Sequence, residues 1–398
     1  MFGPFEVIPI MMTYLLVAPN GLAALQIVPK TWQYKNHPVG YEVINPIEGM
    51  DNGSDNRGPI LLLNGFGVGS FHQHRLMPML ARDTNSIVYG IDYLGQGRSW
   101  PKDCDDGMGE NERGLIYSAD TWLEQIINFI DNVIIPANQI DNASKKLKVH
   151  VVGNSVGGYL SVALGNHRPD LVETISLLNA TPIWGLNLPG WDGKLPAPPL
   201  PKFVGRLLFD QIRDLNTIEK YLEVAYANAD AFDEDLMAKI RACTEGKGGH
   251  AAFASIMWSP PVHFKNQVEG FSDALSHLRC DTLLLFGAED KWCTPSIGKN
   301  MMKSLNCKGR NEYFTQRYIE LSDVGHCPNH EAPKAVSDVL SKWISSTEPR
   351  RKKTLQLLPD EEHIMTEPWG DISLREVDDE DILSMNVVDT FLAQYISK

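Results

Sequence analysis

The stretch VHVVGNSVGGYL, residues 149–160, decides how the rest of the sequence is interpreted. Residues 149–152 predict a buried strand, and residues 159–165 predict a helix. The sequence GNSVG between them matches the pattern G-x-S-x-G, in which a serine occupies a tight turn from strand to helix. Both glycines are needed because a side chain at either position would collide with the neighbouring strand or helix. The sequence therefore predicts that Ser155 is a nucleophile with an accessible hydroxyl.

A serine hydroxyl is a weak nucleophile at neutral pH, so it needs a base and a carboxylate that orients the base. His326 ends the sequence DVGH, and Asp290 ends the sequence LFGAED, each just after a predicted strand. The carboxyl ends of parallel strands are where such sheets place their active sites. We therefore predict Asp290 and His326 as the acid and the base. Glu289 remains an alternative acid and His330 an alternative base.

The loop NGFGVGS, residues 64–70, also follows a predicted strand. Ester hydrolysis builds negative charge on the carbonyl oxygen, which backbone N–H groups can stabilise. By position, the amides of Phe66 and Val156 are the expected oxyanion hole. The loop does not suit a phosphate because no Gly-Lys-Ser/Thr follows it. His72 and His74 have no carboxylate or third histidine spaced to complete a metal site, so no metal or other cofactor is expected.

From residue 41 onward, short β-rich segments alternate with helical segments. This alternation predicts an α/β fold with a mostly parallel, twisted sheet flanked by helices. Apolar residues at three- and four-residue spacing place one helix over 121–135. The predicted strands are 41–44, 60–63, 87–91, 147–152, 174–178, 282–286 and 318–321.

The alternation is interrupted by a segment that is rich in tryptophan and proline at its start. Residues 182–266 are therefore predicted to form a cap, inserted between two parts of the core at 31–181 and 267–346. The remaining residues, 347–398, are charged and predict a C-terminal tail, partly disordered, with one amphipathic segment at 387–396.

The N-terminal segment, residues 1–30, is largely apolar but is interrupted by polar residues and prolines. A membrane span would need about twenty uninterrupted apolar residues. No Lys or Arg precedes the apolar run, which disfavours a secretory signal, and no clear transit peptide is present. An interfacial or cap-covering segment and a degraded targeting sequence both remain open.

Composition disfavours several classes of protein. The 36 basic and 50 acidic residues give a net charge of −14, which repels phosphates and argues against a nucleic-acid partner. Six cysteines occur without a CxxC pair, so the spacing signals neither a zinc site nor a disulfide scaffold. With 43% apolar and 22% charged residues, most of the chain is typical of a folded globular protein.

Several of these motifs together resemble those of plant and algal pheophytinases and related chlorophyll dephytylases, within the α/β-hydrolase superfamily. The resemblance spans about residues 32–345 and departs at Asn329-His330, where the family pattern has a histidine followed by an aspartate. The matching motifs are NGFGVGSFH (64–72), DYLGQGRS (92–99), VGNSVGGY (152–159), LNATPIWG (178–185), and GHCP (325–328) followed by EAP (331–333).

The resemblance implies an α/β-hydrolase fold and a chlorophyllase-like carboxylic ester hydrolysis in a chloroplast. The implied reaction cleaves the phytyl ester of chlorophyll or pheophytin and releases phytol. Trp184 and Trp191 are expected to offer apolar surface in the substrate pocket. The expected partner is an apolar small-molecule ester, either a porphyrin-phytyl ester or a lipid. Peripheral contact with a membrane is a further expectation that the apolar N-terminal segment leaves open.

Two alternatives remain from the residues alone. A general lipase or esterase acting on acyl lipids would use the same catalytic residues, because one fold serves many substrates. A non-catalytic, hydrolase-like binding protein would keep the fold, although the presence of Ser155, Asp290 and His326 argues against it. An epoxide hydrolase or a dehalogenase is disfavoured, since it would need aspartate where Ser155 stands.

Overall fold

The computed structural model of this chain describes most of the sequence. Trp191 and the predicted amphipathic segment 387–396 lie outside the described residues, as do residues 1–24 of the N-terminal segment. The described residues are 25–46, 58–100, 117–138, 147–185, 199–245, 256–265, 267–306, 313–346 and 349–383.

A ten-stranded sheet forms the centre of the described structure, in the order β1-β2-β4-β3-β5-β6-β7-β8-β10-β9. The six strands from β4 to β8 in this order run parallel, and the strands at both edges are antiparallel. The predicted fold class is therefore confirmed. The strands are β1 (Val28–Tyr34), β2 (His37–Ile44), β3 (Ile60–Leu63), β4 (Val88–Ile91), β5 (Val149–Asn154), β6 (Val172–Leu178), β7 (Asp281–Gly287), β8 (Gln316–Leu321), β9 (Glu362–Glu367) and β10 (Gly370–Glu376).

Helices cover both faces of the sheet because neighbouring residues of a strand point to opposite faces. In β3, Leu61 and Leu63 join one apolar core, whereas Ile60 and Leu62 join the other. The helices are α1 (Met77–Thr84), α2 (Ala119–Phe129), α3 (Ile135–Asn138), α4 (Val156–His167), α5 (Pro199–Ile212), α6 (Leu215–Ala225), α7 (Glu234–Ala242), α8 (Phe271–Ser276), α9 (Pro295–Leu305), α10 (Pro328–Glu331), α11 (Pro333–Ser345), α12 (Pro349–Thr354) and α13 (Asp379–Leu383). In the described ranges, no helix combines the length and the hydropathy that a membrane crossing requires.

The segment between β6 and β7 contains α5, α6 and α7, in the region where the cap is predicted. These helices have a small apolar core of their own, which includes Ile218, Leu222 and Leu236. α6 begins after Asp214, whose carboxylate accepts a hydrogen bond from the Thr217 N–H. This capping stabilises the helix start, so the segment folds as a helical layer rather than as more sheet.

The predicted strands all occur, but β1 was missed by the sequence analysis. Its residues VPKTWQY are mostly exposed. As an edge strand it pairs only with β2, so its side chains are not required to follow the pattern of a buried strand.

The prediction of a C-terminal appendage is wrong for residues 349–383. β9 and β10 extend the sheet, with Leu374 of β10 opposite Leu321 of β8. Ile372 and Leu374 are buried in the apolar core, and Ser373 between them points the other way. Charged residues on the outer face conceal this two-residue alternation. The hairpin is therefore part of the core domain.

Replacing Leu374 by alanine is expected to lower the free energy of unfolding by roughly 2–5 kcal/mol, because it removes a fully buried side chain. Urea unfolding measures this loss. The matched control is Ile364→Ala on β9, whose side chain is 64% exposed and whose removal should change stability by less than about 0.5 kcal/mol. Equal effects of the two substitutions would mean that the hairpin does not contribute to the core.

Candidate active site

Ser155 lies at the turn between β5 and α4, with backbone angles φ 54 and ψ −118. A positive φ is strained for a residue with a side chain, and the N–H of Ser155 donates to the Leu178 carbonyl at 3.0 Å. A Cβ added at Gly153 would collide with the Gly157 carbonyl, and one added at Gly157 would collide with the Leu63 carbonyl. The tight turn predicted from the sequence is therefore present.

Asp290 and His326 form a buried pair beyond the ends of β7 and β8. The imidazole Nδ1 of His326 lies 2.7 Å from Oδ2 of Asp290. The side-chain amide of Asn179 donates to the same oxygen at 2.8 Å. The other oxygen, Oδ1, accepts the N–H groups of Trp292 at 2.7 Å and Cys293 at 3.0 Å. All four groups hold the carboxylate in one orientation toward the imidazole.

This pairing changes the acidity of both side chains. Burial disfavours the charged form of Asp290, but the hydrogen bond to and attraction of His326 and the N–H groups of Trp292 and Cys293 together outweigh it and lower the pKa of the carboxyl. Burial likewise opposes the charged imidazole, but the hydrogen bonds to and attraction of Asp290 and Cys293 together outweigh it and raise the pKa of His326. Asp290 is therefore an ionised carboxylate that makes the imidazole a stronger base.

Ser155 and His326 line the same cavity. Asn154, the residue before Ser155, donates its side-chain amide to the His326 carbonyl at 2.9 Å and to the Leu178 carbonyl at 3.0 Å. This amide connects the serine turn directly to the histidine loop. The fold therefore brings Ser155, Asp290 and His326 together at the carboxyl edge of the sheet, although they are far apart in the sequence.

The alternative acid and base are placed elsewhere. Glu289 is exposed, whereas its neighbour Asp290 is buried against His326. His330 is buried and lies 3.1 Å from the Tyr226 hydroxyl. Its pKa is lowered, mainly by burial. His330 is therefore part of a separate hydrogen-bonded group, and the structure favours Asp290 and His326 for the pair.

The cavity beside Ser155 has a volume of about 510 Å³, within the range of roughly 300–1,000 Å³ that is usual for small-molecule sites. Its base is formed by the serine and histidine turns and by the loop after β3, including Phe66. Its upper wall consists mainly of apolar side chains from the cap. These are Leu208, Phe209, Ile212, Ile218, Tyr221, Leu222, Ile240, Ile256 and Met257.

The two predicted oxyanion-hole residues belong to segments that adjoin Ser155. Phe66 lines the cavity, and the neighbouring Gly65 approaches Ser155 so closely that an added Cβ would lie 3.4 Å from the Ser155 Cβ. Val156 is the first residue of α4. The N–H of Val156 has no hydrogen-bond acceptor within the helix, because no helical carbonyl lies one turn before it. Both amides are thus in positions compatible with the predicted role.

Trp184 does not line this cavity, so the prediction that it forms the substrate pocket is wrong. Its indole is buried, its Nε1 donates to the Ser259 hydroxyl at 3.0 Å, and its ring packs against Trp122 and Tyr159. An aromatic residue near the start of a cap can pack the cap onto the core as readily as it can face a substrate. Trp191, the other predicted pocket residue, lies outside the described residues.

Glu331 is a buried residue near the site that the sequence analysis did not single out as functional. Its carboxylate accepts the N–H groups of Gly325 and Cys327, both at 3.1 Å, and that of Ala227 in the cap, at 2.8 Å. Nearby, the His326 N–H donates to the Ala225 carbonyl at 2.7 Å. The end of α6 is therefore attached directly to the loop that carries the histidine.

A second buried group includes two residues that line the cavity, His72 and Tyr226. The His72 Nε2 is 2.9 Å from the Tyr226 hydroxyl, and the same hydroxyl is 3.1 Å from the His330 Nδ1. The two imidazoles are stacked with their centroids 5.0 Å apart. Burial lowers the pKa of His72 to about 3, so the ring is neutral. Tyr226 lies in the cap far from any motif, so no sequence signal pointed to it.

Comparison with known families agrees with this architecture. Residues 60–339 match the family model described as "Alpha/beta hydrolase family". The chain belongs to the alpha/beta hydrolase family. The match spans β3 to β8, the cap and both turns that carry Asp290 and His326, whereas β9 and β10 lie beyond it.

Among curated proteins, the chain is 30% identical to "Pheophytinase, chloroplastic" of Arabidopsis thaliana over 80% of this chain and 67% of that protein. The resemblance to pheophytinases that the motifs indicated is thereby confirmed. The chain is also 22% identical to a 2-hydroxy-6-oxononadienedioate/2-hydroxy-6-oxononatrienedioate hydrolase of Paraburkholderia xenovorans, over 62% of this chain and 75% of that protein. The chain is therefore a hydrolase of the α/β-hydrolase superfamily, whose members here differ in substrate.

Among solved structures, a 2-hydroxy-6-oxo-6-phenylhexa-2,4-dienoate hydrolase from Rhodococcus sp. strain RHA1 superposes with a TM-score of 0.56. The sequence identity is 17%, and the match covers 81% of this chain and all of that chain. At this identity the likeness concerns the fold alone. It supports the arrangement of sheet and helices described above.

Glu331→Gln is expected to remove part of the pH dependence of stability. Burial raises the pKa of Glu331 to about 7 in the folded protein, from 4.5 when unperturbed. Between these values the folded state binds more protons, so the free energy of unfolding falls as pH rises, by at most about 1.4 kcal/mol per pH unit from this group. The amide of glutamine does not titrate, and its side chain has nearly the same size.

Urea unfolding of both proteins at about pH 5 and about pH 8 measures this effect. Relative to the native protein, Glu331→Gln should lose more stability at about pH 5 than at about pH 8. At the lower pH native Glu331 is protonated and carries no buried charge. A stability difference that stays constant across this pH range would contradict the raised pKa.

Proposed function

We propose that this protein is a serine hydrolase of carboxylic esters, and that its substrate is the phytyl ester of a chlorophyll-type pigment. The observation that carries the proposal is the position of Ser155. Its strained turn sits on the wall of a largely apolar cavity that His326 also lines, and Nδ1 of that imidazole lies 2.7 Å from a buried carboxylate.

In the proposed reaction, Ser155 Oγ attacks the ester carbonyl carbon and His326 Nε2 accepts the hydroxyl proton. His326 then gives this proton to the departing alcohol, which leaves an acyl group on Ser155. A water molecule repeats the sequence and releases the acid. Asp290 keeps the proton of the neutral imidazole on Nδ1, so that Nε2 is free to act as the base.

The amides of Phe66 and Val156 are proposed to stabilise the negative charge on the carbonyl oxygen. Phe66 belongs to the loop after β3 and Val156 to the first turn of α4, so both donors are held by the fold before the substrate arrives. Preorganised donors of this kind need no rearrangement as the charge develops.

The cap supports the choice of an apolar substrate. Its side chains on the cavity wall include Leu208, Phe209, Ile212 and Leu222, which suit a long hydrocarbon chain better than a charged or sugar-like group. The match to a pheophytinase named as chloroplastic and the five shared motifs favour a phytyl ester over other lipids. By the same likeness we propose that the protein acts in a chloroplast.

A substrate panel tests the proposal. Purified protein incubated with pheophytin a or chlorophyll a is expected to release the dephytylated pigment, as measured by chromatography, faster than it cleaves a galactolipid or a short nitrophenyl ester. Preference for the galactolipid would favour the lipase alternative. Cleavage of a carbon–carbon bond in a 2-hydroxy-6-oxo-dienoate, without ester hydrolysis, would contradict the ester proposal.

The nucleophile is tested in the same assay. Ser155→Ala is expected to reduce the rate by roughly 10⁶-fold, to the background left by binding alone. A fluorophosphonate probe should label the native protein and leave the alanine variant unlabelled. If the probe labels the native protein but no member of the panel is hydrolysed, Ser155 is reactive and acts on a different substrate. If the probe does not label the native protein, the binding-protein alternative is favoured.

Asp290→Asn is expected to lower kcat by roughly 10⁴-fold, because the amide no longer holds the imidazole in the productive tautomer. The base must be neutral to accept a proton, and Asp290 raises the pKa of His326. Losing that carboxylate should therefore move the acidic limb of the kcat/KM profile to lower pH.

The matched control for this substitution is Glu289→Gln, which removes the exposed carboxylate next door. It should leave both kcat and the pH profile unchanged. A large loss of rate in this control, with little loss in Asp290→Asn, would exchange the roles of the two acidic residues.

A further inference from the structure

A thiol lies against the proposed acid–base pair. Atoms of Asp290, Cys293 and His326 that could each bind a metal ion all lie within 4.8 Å of one another, and all three residues are buried. The described cysteines 243, 280, 293 and 327 are all free thiols, and Cys293 belongs to this group. The cluster therefore offers one nitrogen, one sulfur and one oxygen donor around a single point.

This set of donors is selective. Zn²⁺ and similar borderline or soft cations bind combinations of imidazole, thiolate and carboxylate, usually with water completing a tetrahedral site. Mg²⁺ and Ca²⁺ prefer oxygen donors and gain little from a thiolate. The cluster thus suits a zinc-class cation and disfavours the common alkaline-earth cations.

The surrounding hydrogen bonds hold two of the donors in place. Asn179 fixes Oδ2 of Asp290, and the N–H of Cys293 itself fixes Oδ1. The tight turn from Asp290 to Cys293 therefore keeps the carboxylate and the thiol close to each other and to the imidazole. Such outer partners orient metal ligands and lower the cost of binding.

An ion has a route to the cluster from the cavity. His326 lines the cavity, as does Trp292, whose side chain is 45% exposed and packs edge-on against the His326 ring with the centroids 5.0 Å apart. The side of the cluster that faces the cavity is therefore next to a partly exposed indole.

We propose that Asp290, Cys293 and His326 form a binding site for a zinc-class divalent cation, and that an ion bound there switches the hydrolase off. The first half of this proposal depends only on the geometry of the three side chains. The second half rests on the proposed function, because it requires His326 to be the catalytic base.

The switch follows from the position of one proton. Before binding, the imidazole proton is on Nδ1 and the lone pair of Nε2 is available to Ser155. A cation that takes the Nδ1 lone pair requires the ring proton to be on Nε2, while the Cys293 thiol releases its own proton to solvent and binds as a thiolate. An Nε2 that already carries a proton cannot accept another from Ser155.

Binding is tested first, without reference to activity. Co²⁺ added to the native protein is expected to produce the thiolate-to-metal charge-transfer band in the near ultraviolet. Cys293→Val removes the thiol with little change in volume and should lose this band. Cys243→Val is the matched control, because Cys243 is another buried thiol that lines the cavity, and it should keep the band.

Absence of the band in the native protein, or its persistence in Cys293→Val, would overturn the metal site. Circular dichroism melts without metal show whether each variant is folded. Cys293→Ser, which keeps a polar side chain of similar size, serves as the second variant if valine disturbs the turn.

Inhibition is tested second, with the best ester of the substrate panel. Zn²⁺ is expected to inhibit the native protein reversibly, with EDTA restoring the rate, while equal Mg²⁺ has no effect. The concentration for half inhibition should rise by at least about tenfold in Cys293→Val, since losing even an outer partner of a metal ligand commonly costs that much.

The two arms separate the possible failures. A Co²⁺ band that depends on Cys293, together with an unchanged hydrolysis rate at saturating Zn²⁺, would keep the site and overturn the switch. A native protein that hydrolyses no ester would count against the proposed function, and the binding arm would still decide the metal site.

Discussion

The geometry of one turn controls the site. Ser155 is held at a positive φ between β5 and α4, where the close approach of neighbouring carbonyls leaves no room for a Cβ at Gly153 or Gly157. This crowding pushes the serine side chain out of the sheet and into the cavity. The parallel order of β5, β6, β7 and β8 then brings the turns that carry Asp290 and His326 to the same edge.

The cap and the loop that carries His326 are joined by backbone and side-chain hydrogen bonds. The end of α6 is bonded to His326 through the Ala225 carbonyl and to Glu331 through the Ala227 N–H. The helices that shape the cavity therefore also fix the backbone of the proposed base. The buried carboxylate of Glu331 is part of this connection: burial disfavours its charge, and its oxygens accept three buried or partly buried backbone N–H groups.

Much of the architecture could be predicted because its signals are local. Turn chemistry around GNSVG predicts the strand, the turn and the helix together, and short apolar runs locate the central strands. Prediction from local patterns failed where neighbours in the sequence are poor guides to burial. Charged residues conceal the alternation of buried and exposed side chains in β10. The edge position of β1 frees its side chains from the pattern of a buried strand. For Trp184, the sequence did not distinguish packing against the core from contact with a substrate.

The sequence by itself determined the fold class, the serine turn and the identity of the residues at the ends of β7 and β8, because each depends on interactions over a few neighbouring residues. Only the tertiary structure decided that Glu289 faces solvent while Asp290 meets His326. It also decided that Asn179 and Cys293 join this pair, and that cap side chains line an apolar cavity beside Ser155. These contacts join residues far apart in the chain, and their distances depend on how the sheet, helices and cap pack rather than on any local spacing.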